Sequence, residues 1–422
     1  MKKIRIGVMG TGRGSSMIHY CLTAGNAELV AICDKYEEGL RKHQLQHKEQ
    51  NITYYNNFED FIQHDMDAVV LANYANEHAP FAIKAMRAGK HVYSEVLPVQ
   101  TMKEAVELIE TIEQTGMTYA YGENYCYMPA PYEMRKLYRE GKLGEFEYGE
   151  GEYVHNCEPI WHLITYGEED HWRNNMFSTF YCTHSLGPII HITGLRPVSV
   201  TGFEGTKNER RMRVGSKSGQ FAVEMVTLEN GGIVKSIHGD LYRDSIWYSV
   251  YGSKGRMESS REDAENGGIQ RIYVNTDEYS GEYAKRPIEN YEPHLGSEES
   301  SQLFGHGGSD YYAMYHFVEK LLGNENADTI DIYEALDMCL PGLFAYRSIL
   351  AGGIPMEIPD LRKKEVRDQY RNDTACTDPK AAGDMLLPVF SKGNPEIAPE
   401  VYDRVRDKWT AHLEEEKAKE AD

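Results

Sequence analysis

The chain has little of what would place it outside the ordinary soluble globular class. Nowhere in its 422 residues is there a run approaching the roughly 20 apolar residues that a membrane helix needs. Two lysines precede Ile4-Arg5-Ile6-Gly7-Val8, but no long apolar region or cleavage pattern follows, so no signal peptide is expected. The seven cysteines, at 21, 33, 126, 157, 182, 339 and 376, are odd in number and scattered. They predict neither a disulfide framework nor a CxxC metal pair, and they suit a reducing, cytoplasmic home. Lys and Arg total 45 against 66 Asp and Glu, a net charge of -21, which argues against nucleic acid or an anionic membrane as partner. HExxH is absent, and the single HxxxH pair, His43 and His47, reads as a solvated helix face, so no metal is assigned. No internal repeat is evident. What remains, 41% hydrophobic and 26% charged, is a globular composition of a length that suits two domains.

The first 120 or so residues carry the clearest pattern. Ile4 to Met9 is a short apolar strand that ends in Gly10-Thr11-Gly12-Arg13-Gly14-Ser15. A helical stretch with Met17, Ile18, Tyr20, Cys21 and Leu22 follows, then a second strand, Glu28 to Cys33, closed by Asp34. Glycines in such a turn let the backbone approach a pyrophosphate at the helix N-terminus, and an acid after the second strand holds the ribose 2′-hydroxyl, which favours NAD over NADP. Ser15 stands at the third glycine position of GxGxxG, a small-residue replacement. Further strands, Asp67 to Ala72 and Lys90 to Glu95, alternate with helices over Ala79 to Ala88 and Met102 to Thr115. The alternation predicts a parallel, doubly wound Rossmann sheet over residues 1–122. Asn73, Asn76, His78 and Glu95 follow or end its strands, where ligands bind.

Beyond Glu123 the texture changes. Phe146 to His155, Val198 to Phe203, Phe221 to Leu228, Gly232 to His238 and Ser245 to Tyr251 alternate like half-buried strands. They predict an α+β domain over 123–360 with one large, open, mostly antiparallel sheet, giving an α/β protein overall. Residues 258–305, polar and rich in Glu, Gly and Ser, read as a long loop over the site or at an interface. Helices are expected over Tyr311 to Leu322 and Tyr333 to Leu350, and a C-terminal extension, 361–422, ends in a charged, solvated helix from Pro399.

Gly10-Thr11-Gly12, Asp34, Ala88-Gly89-Lys90-His91-Val92, Glu95, Gly141-Lys142-Leu143-Gly144 and Gly353-Ile354-Pro355 together resemble the Gfo/Idh/MocA oxidoreductases over nearly the whole chain. The dehydrogenases of that family carry a Glu-Lys-Pro motif with a proton-transferring lysine; here the segment is Glu95-Val96-Leu97-Pro98, and Val96 can move no proton. They also place an Asp four residues before a catalytic His, whereas four before His184 stands Phe180. Tyr153-Val154-His155, Tyr181 to Pro188 and Gly305 to Tyr312 instead resemble glycoside hydrolase family 109, which uses the same fold and a tightly held NAD to cleave glycosides.

That resemblance implies a redox-assisted elimination: oxidation at sugar C3, removal of the acidified C2 proton, loss of the C1 group, addition of water and re-reduction. Such a site needs a base, an acid and donors for an enolate. The candidates are His184 and Tyr153 as the proton-transfer pair, Tyr242 as C2 base, and Arg173, Tyr181 and His306 as sugar contacts. His155 and Asn124 join the glycine-loop residues, Arg13 among them, as cofactor contacts. Each tyrosine has a plainer alternative, a packing residue with a satisfied hydroxyl, and His306 could simply belong to a tight loop. His162, His171 and Trp172 either line a carbohydrate pocket or form a surface cluster. The readings left open are an NAD-dependent glycosidase acting on a hexoside such as an N-acetylgalactosaminide, a conventional sugar or cyclitol dehydrogenase, and a non-enzymatic NAD and sugar sensor. A homo-oligomer paired through the open sheet is implied by the resemblance alone.

Overall fold

The computed structural model describes residues 2–207, 209–261, 270–276, 289–295 and 304–421. Six strands, β1 (Ile4–Met9), β2 (Ala27–Cys33), β3 (Thr53–Tyr55), β4 (Ala68–Leu71), β5 (His91–Ser94) and β6 (Tyr119–Tyr121), form a sheet in the order β3-β2-β1-β4-β5-β6. Every pairing in it is parallel. The central strand β4 is buried at all four residues, as a parallel sheet covered by helices on both faces requires. One covering helix, Met102–Thr115, starts in a capping box of Thr101 and Glu104 and stops at Gly116, whose φ is 66°. The strand order reverses between β1 and β4, so the crevice at their carboxyl ends is where a ligand would seat.

The second sheet contains β7 (Phe146–Val154), β8 (Pro197–Glu204), β9 (Phe221–Leu228), β10 (Ile233–Gly239), β11 (Ser245–Gly252), β12 (Gly255–Ser259), β13 (Ile272–Thr276), β14 (Glu289–Tyr291) and β15 (Met356–Glu357). Their order is β14-β13-β12-β11-β7-β10-β9-β8-β15, antiparallel except for the pairing of β7 with β10. One face is covered by the helix Cys182–Thr193 and by Ile332–Leu350, both almost wholly buried. The other is open, and along β9 buried and half-buried residues alternate strictly. Gly151 in β7 lets the Cys182–Thr193 helix lie directly on the sheet, because a Cβ there would fall on the Ser185 carbonyl.

Two sequence expectations are corrected here. The stretch read as a long loop, 258–305, contains the end of β12 and the strands β13 and β14, which extend one edge of the open sheet. Their polar composition hid them, since an edge strand with an open face needs few apolar residues; the rest of that stretch lies outside the described residues. The charged C-terminal helix, Pro399–Ala421, is not simply solvated either. Val401, Tyr402 and Val405 are buried, and Trp409 reaches a cavity wall. Among the described residues no helix is long and apolar enough to cross a membrane.

Candidate active site

A cavity of about 930 Å³ runs from the switch point of the parallel sheet to the ends of β7 and β10 in the open sheet. Gly10, Thr11, Gly12, Asp34 and Asn73 line one end, and Tyr153, His155, Tyr181, His184 and His238 the other.

At the first end a glycine loop meets the polar side chains of Asp34, Asn73 and His78. Gly10 has φ 98° and lies so close to β4 that a Cβ would strike the Ala72 carbonyl, so only glycine fits. Gly12 lines the cavity, and a Cβ there would meet no atom within 4 Å. Gly14 and Ser15 do not line it: Gly14 is the N-cap of the Ser15–Thr23 helix and Ser15 its first residue. Asp34 accepts hydrogen bonds from the Thr11 backbone N–H (2.6 Å), the Thr11 hydroxyl (2.7 Å) and the Tyr36 backbone N–H (2.9 Å). It therefore pins the glycine loop to the end of β2 while remaining in the cavity wall. The Asn73 Oδ1 and the His78 Nε2 are buried without a protein partner among the described residues, and both side chains line the cavity. Burial pulls the His78 pKa down to about 4, so its ring is neutral. A glycine loop at a helix start, an acid at the second strand and orphaned polar atoms together fit a dinucleotide. Asn76 does not belong to this set. Its Nδ2 donates to Asp378 at 3.0 Å and it is absent from the cavity wall, because the short helical turn Ala75–Glu77 rotates it toward the C-terminal segment.

Between the two ends stands a polar clasp of residues that the sequence reading assigned separately, joined through Asp310, which it did not single out. Arg13 makes a bidentate pair with Asp310 (2.7 and 2.8 Å) and lies 2.9 Å from Glu95. Asn124 donates to the same Asp310 at 3.0 Å, and the His306 Nδ1 lies 3.2 Å from it. Burial works against the Asp310 carboxylate, but the hydrogen bonds from Arg13 and His306 outweigh it and hold its pKa below the usual carboxylate range. The guanidinium of Arg13 is thus committed to carboxylates rather than offered to a pyrophosphate, although Arg13 and Glu95 still line the cavity. Gly305-His306-Gly307-Gly308 brings Asp310 to this point, with Gly308 at φ 89° as N-cap of the Ser309–Leu321 helix.

At the far end, His184 sits in the first turn of the Cys182–Thr193 helix with its Nδ1 2.7 Å from Glu123 Oε1. Glu123 is fully buried just past β6; its other oxygen accepts from the Thr183 hydroxyl at 2.8 Å. The carboxylate assigns the proton to Nδ1 and leaves Nε2 as the acceptor. The Phe180 count therefore found no partner because the carboxylate comes from 61 residues upstream, not from the same helix. The His184 ring packs against Tyr153 (centroids 4.5 Å), Tyr125 (4.6 Å) and Tyr181 (5.4 Å, stacked). Loss of solvent around its hydroxyl pushes the Tyr153 pKa well up, so the phenol is a proton donor at neutral pH. Arg173 lies over Trp172 at 4.4 Å and Tyr181 at 5.5 Å. His155 is half-exposed, its Nδ1 3.6 Å from Asp244. Val96 also lines the cavity and brings no titratable group.

Tyr242 is misplaced by the sequence reading. It is 72% exposed and outside the cavity, since β10 ends at Gly239 and the chain turns to solvent. The residue that does point inward is His238, with Nδ1 3.4 Å from the Ser185 hydroxyl and a pKa drawn down to about 3 by burial. His171 and Trp172 line the cavity, while His162 faces His412. His43, expected on a solvated face, lines the cavity beside Thr11 and Gly39. No group of three or more His, Cys, Asp or Glu suited to a metal occurs among the described residues.

A Rossmann crevice continuous with a histidine- and tyrosine-lined cleft on an open sheet defines a two-domain nicotinamide-nucleotide enzyme. Residues 4–123 match the oxidoreductase family described as an NAD-binding Rossmann fold, and residues 193–368 match the glycosyl hydrolase 109 C-terminal domain. Residues 4–123 thus form an NAD-binding Rossmann domain of the Gfo/Idh/MocA oxidoreductase type and residues 193–368 a domain of the family 109 C-terminal type, with NAD as the cofactor. A glycosyl hydrolase family 109 protein of Solibacter usitatus is 27% identical over 401 residues, covering 85% of this chain and 88% of its own. The α-N-acetylgalactosaminidase of Tannerella forsythia is 25% identical, with 85% and 86% covered. Among solved structures, levoglucosan dehydrogenase with NADH and L-sorbose has a TM-score of 0.68 at 15% identity, covering 85% of this chain and all of that one. The WlbA dehydrogenase of Bordetella pertussis, with NADH and UDP-GlcNAcA, has 0.67 at 19% identity, with 85% and 98% covered. These last two share the fold.

Proposed function

We propose that the protein is a glycosidase that works through bound NAD⁺ without net oxidation, on a hexoside such as an N-acetylgalactosaminide. The observation that carries this reading is the Glu123–His184 pair beside the neutral Tyr153, set in one cavity with the glycine loop and with Val96 where a dehydrogenase lysine would stand. The family 109 C-terminal domain supports it. When bound, NAD⁺ supplies reversible hydride exchange with C3 of the sugar. The His184 Nε2 takes the 3-hydroxyl proton, releases it to solvent in the cavity, then takes the C2 proton and passes it to Tyr153 once that phenol has given up its own; the Glu123 carboxylate balances the charge on the ring while each proton is held. Tyr153 donates to the departing C1 oxygen. Tyr181 and Arg173 hold the sugar hydroxyls. With Tyr242 at the surface, the C2 proton falls to the His184–Tyr153 pair.

A second reading, a conventional NAD-dependent sugar dehydrogenase, draws on the fold shared with solved dehydrogenases. Nitrophenyl glycosides of both anomers separate the two. The glycosidase releases nitrophenol without accumulating NADH and exchanges the C2 proton for deuterium from the solvent. Reduction of NAD⁺ by free sugars, with no nitrophenol released, would establish the dehydrogenase. Homo-oligomerisation through the outer face of the open sheet belongs to the same reading; Phe203 and Ile233 are exposed hydrophobics on its strands, and the mass in solution checks it. So does a cytoplasmic home, which suits seven free thiols.

A further inference from the structure

The C-terminal helix Pro399–Ala421 is seated by contacts built for it. Gly167, at φ 71°, leaves room for the helix backbone: a Cβ there would stand 2.5 Å from the Arg406 nitrogen. Arg406 donates back to the Gly167 carbonyl at 3.1 Å, and the Tyr402 hydroxyl donates to the Gly215 carbonyl at 3.2 Å. Beyond these anchors the helix brings Trp409 to the cavity wall, with its ring 5.0 Å from Tyr166 and 6.0 Å from Tyr36 between centroids. Tyr36 stands two residues after Asp34, whose carboxylate marks the ribose position, and Tyr166 holds its place with a left-handed backbone at φ 57°. Farther along, Glu416 lies 3.9 Å from Lys42 and Lys417 lies 4.0 Å from Glu38, tying the helix to the Rossmann helix Glu37–Gln46.

Three aromatic rings from three distant segments thus meet at the Asp34 end of the cavity. Flat, neutral rings at that point suit a purine, which stacks on aromatic faces. Neither Tyr166 nor Trp409 falls within the segments matched to the two families, 4–123 and 193–368. We infer that the helix 399–421 is a strap over the adenine end of the NAD site, with Trp409 stacked on the base, so that the cofactor stays bound between turnovers. The inference rests on NAD as cofactor and holds for either reaction.

The test is binding of NAD⁺, ADP-ribose and nicotinamide mononucleotide to the full-length protein, stripped of cofactor, by calorimetry, with the NAD⁺ off-rate measured alongside. For Trp409→Ala we expect NAD⁺ and ADP-ribose each to bind about tenfold more weakly, the off-rate to rise by a similar factor, and nicotinamide mononucleotide to be unaffected. Trp409→Phe restores most of the loss. A chain ending at Ala398 loses retention further, and equal melting temperatures of the cofactor-free wild type and Trp409→Ala confirm that the fold is intact. Unchanged NAD⁺ affinity in Trp409→Ala overturns the strap and leaves the cofactor in place; so does an equal loss for nicotinamide mononucleotide, which would make Trp409 merely structural. A wild type that binds no NAD⁺ removes the cofactor assignment and the strap together.

Discussion

At the nucleotide end of the cavity one contiguous stretch sets the shape: a glycine loop closed onto β4 and an Asp34 carboxylate that holds that loop. At the end proposed to take the sugar, the chemistry is presented by side chains drawn from Glu123, Tyr153, Arg173 and His184, each on a different segment. The first arrangement fixes one ligand shape and tolerates little change in the chain's course. The second fixes proton positions and can be retuned one side chain at a time. A single scaffold can therefore keep its cofactor while its reaction drifts, which is what Val96 in place of a lysine implies.

The comparison breaks most sharply at His184. For His184→Ala we expect turnover to fall on the order of 10³-fold while NAD⁺ affinity stays within about twofold, measured by nitrophenol release and calorimetry. Asp34→Ala should do the reverse, weakening NAD⁺ about tenfold with turnover at saturating cofactor retained, since one carboxylate that organises the loop is lost. If either substitution damages both properties equally, the two ends are not separable and the comparison fails.

Legibility follows the same division. Gly10 to Asp34 could be read directly because phosphate and ribose recognition is written in contiguous residues whose spacing the βαβ unit dictates. His184 and Tyr153 were found as candidates only through short motifs. Glu123 was not found, because a carboxylate in Tyr121-Gly122-Glu123-Asn124 carries no local sign of a histidine 61 residues away. Arg13 was assigned to the cofactor as part of the glycine loop and Glu95 because it ends a strand; the Asp310 that pairs with Arg13 lies 297 residues further along the chain. The tail helix looked solvated because its apolar residues are few, yet Val401, Tyr402 and Val405 are buried and Trp409 packs on Tyr166.

Glu123→Gln probes the sugar end more finely. The amide can still accept from Nδ1 but cannot balance an imidazolium, so turnover should fall on the order of 10²-fold with unchanged KM and NAD⁺ affinity. Glu123→Asp should recover part of it; a purely structural Glu123 would instead lower the melting temperature with turnover preserved in the folded fraction.

Asp310 joins the two ends, and its effect is read in stability. Its folded pKa is depressed, so its contribution is complete above the ordinary carboxylate value near 4 and is lost as pH falls below it. Asp310→Asn should cost about 3 kcal/mol at neutral pH, because Arg13 loses a buried partner. It should also flatten the fall of melting temperature with acid. An unchanged acid limb would show that other carboxylates govern it.

The smallest effect is expected at Tyr242. Its hydroxyl is solvent-exposed and its ring stands outside the cavity wall, so removing the hydroxyl withdraws nothing from a sugar bound near His184. Tyr242→Phe should leave both kcat and the rate of C2 deuterium exchange within about twofold of wild type, as surface substitutions away from special features do. A large loss of exchange with NAD⁺ affinity intact would mean that the segment after Gly239 folds inward when sugar binds. The sugar end would then owe its base to a loop rather than to the rigid pair on helix and sheet.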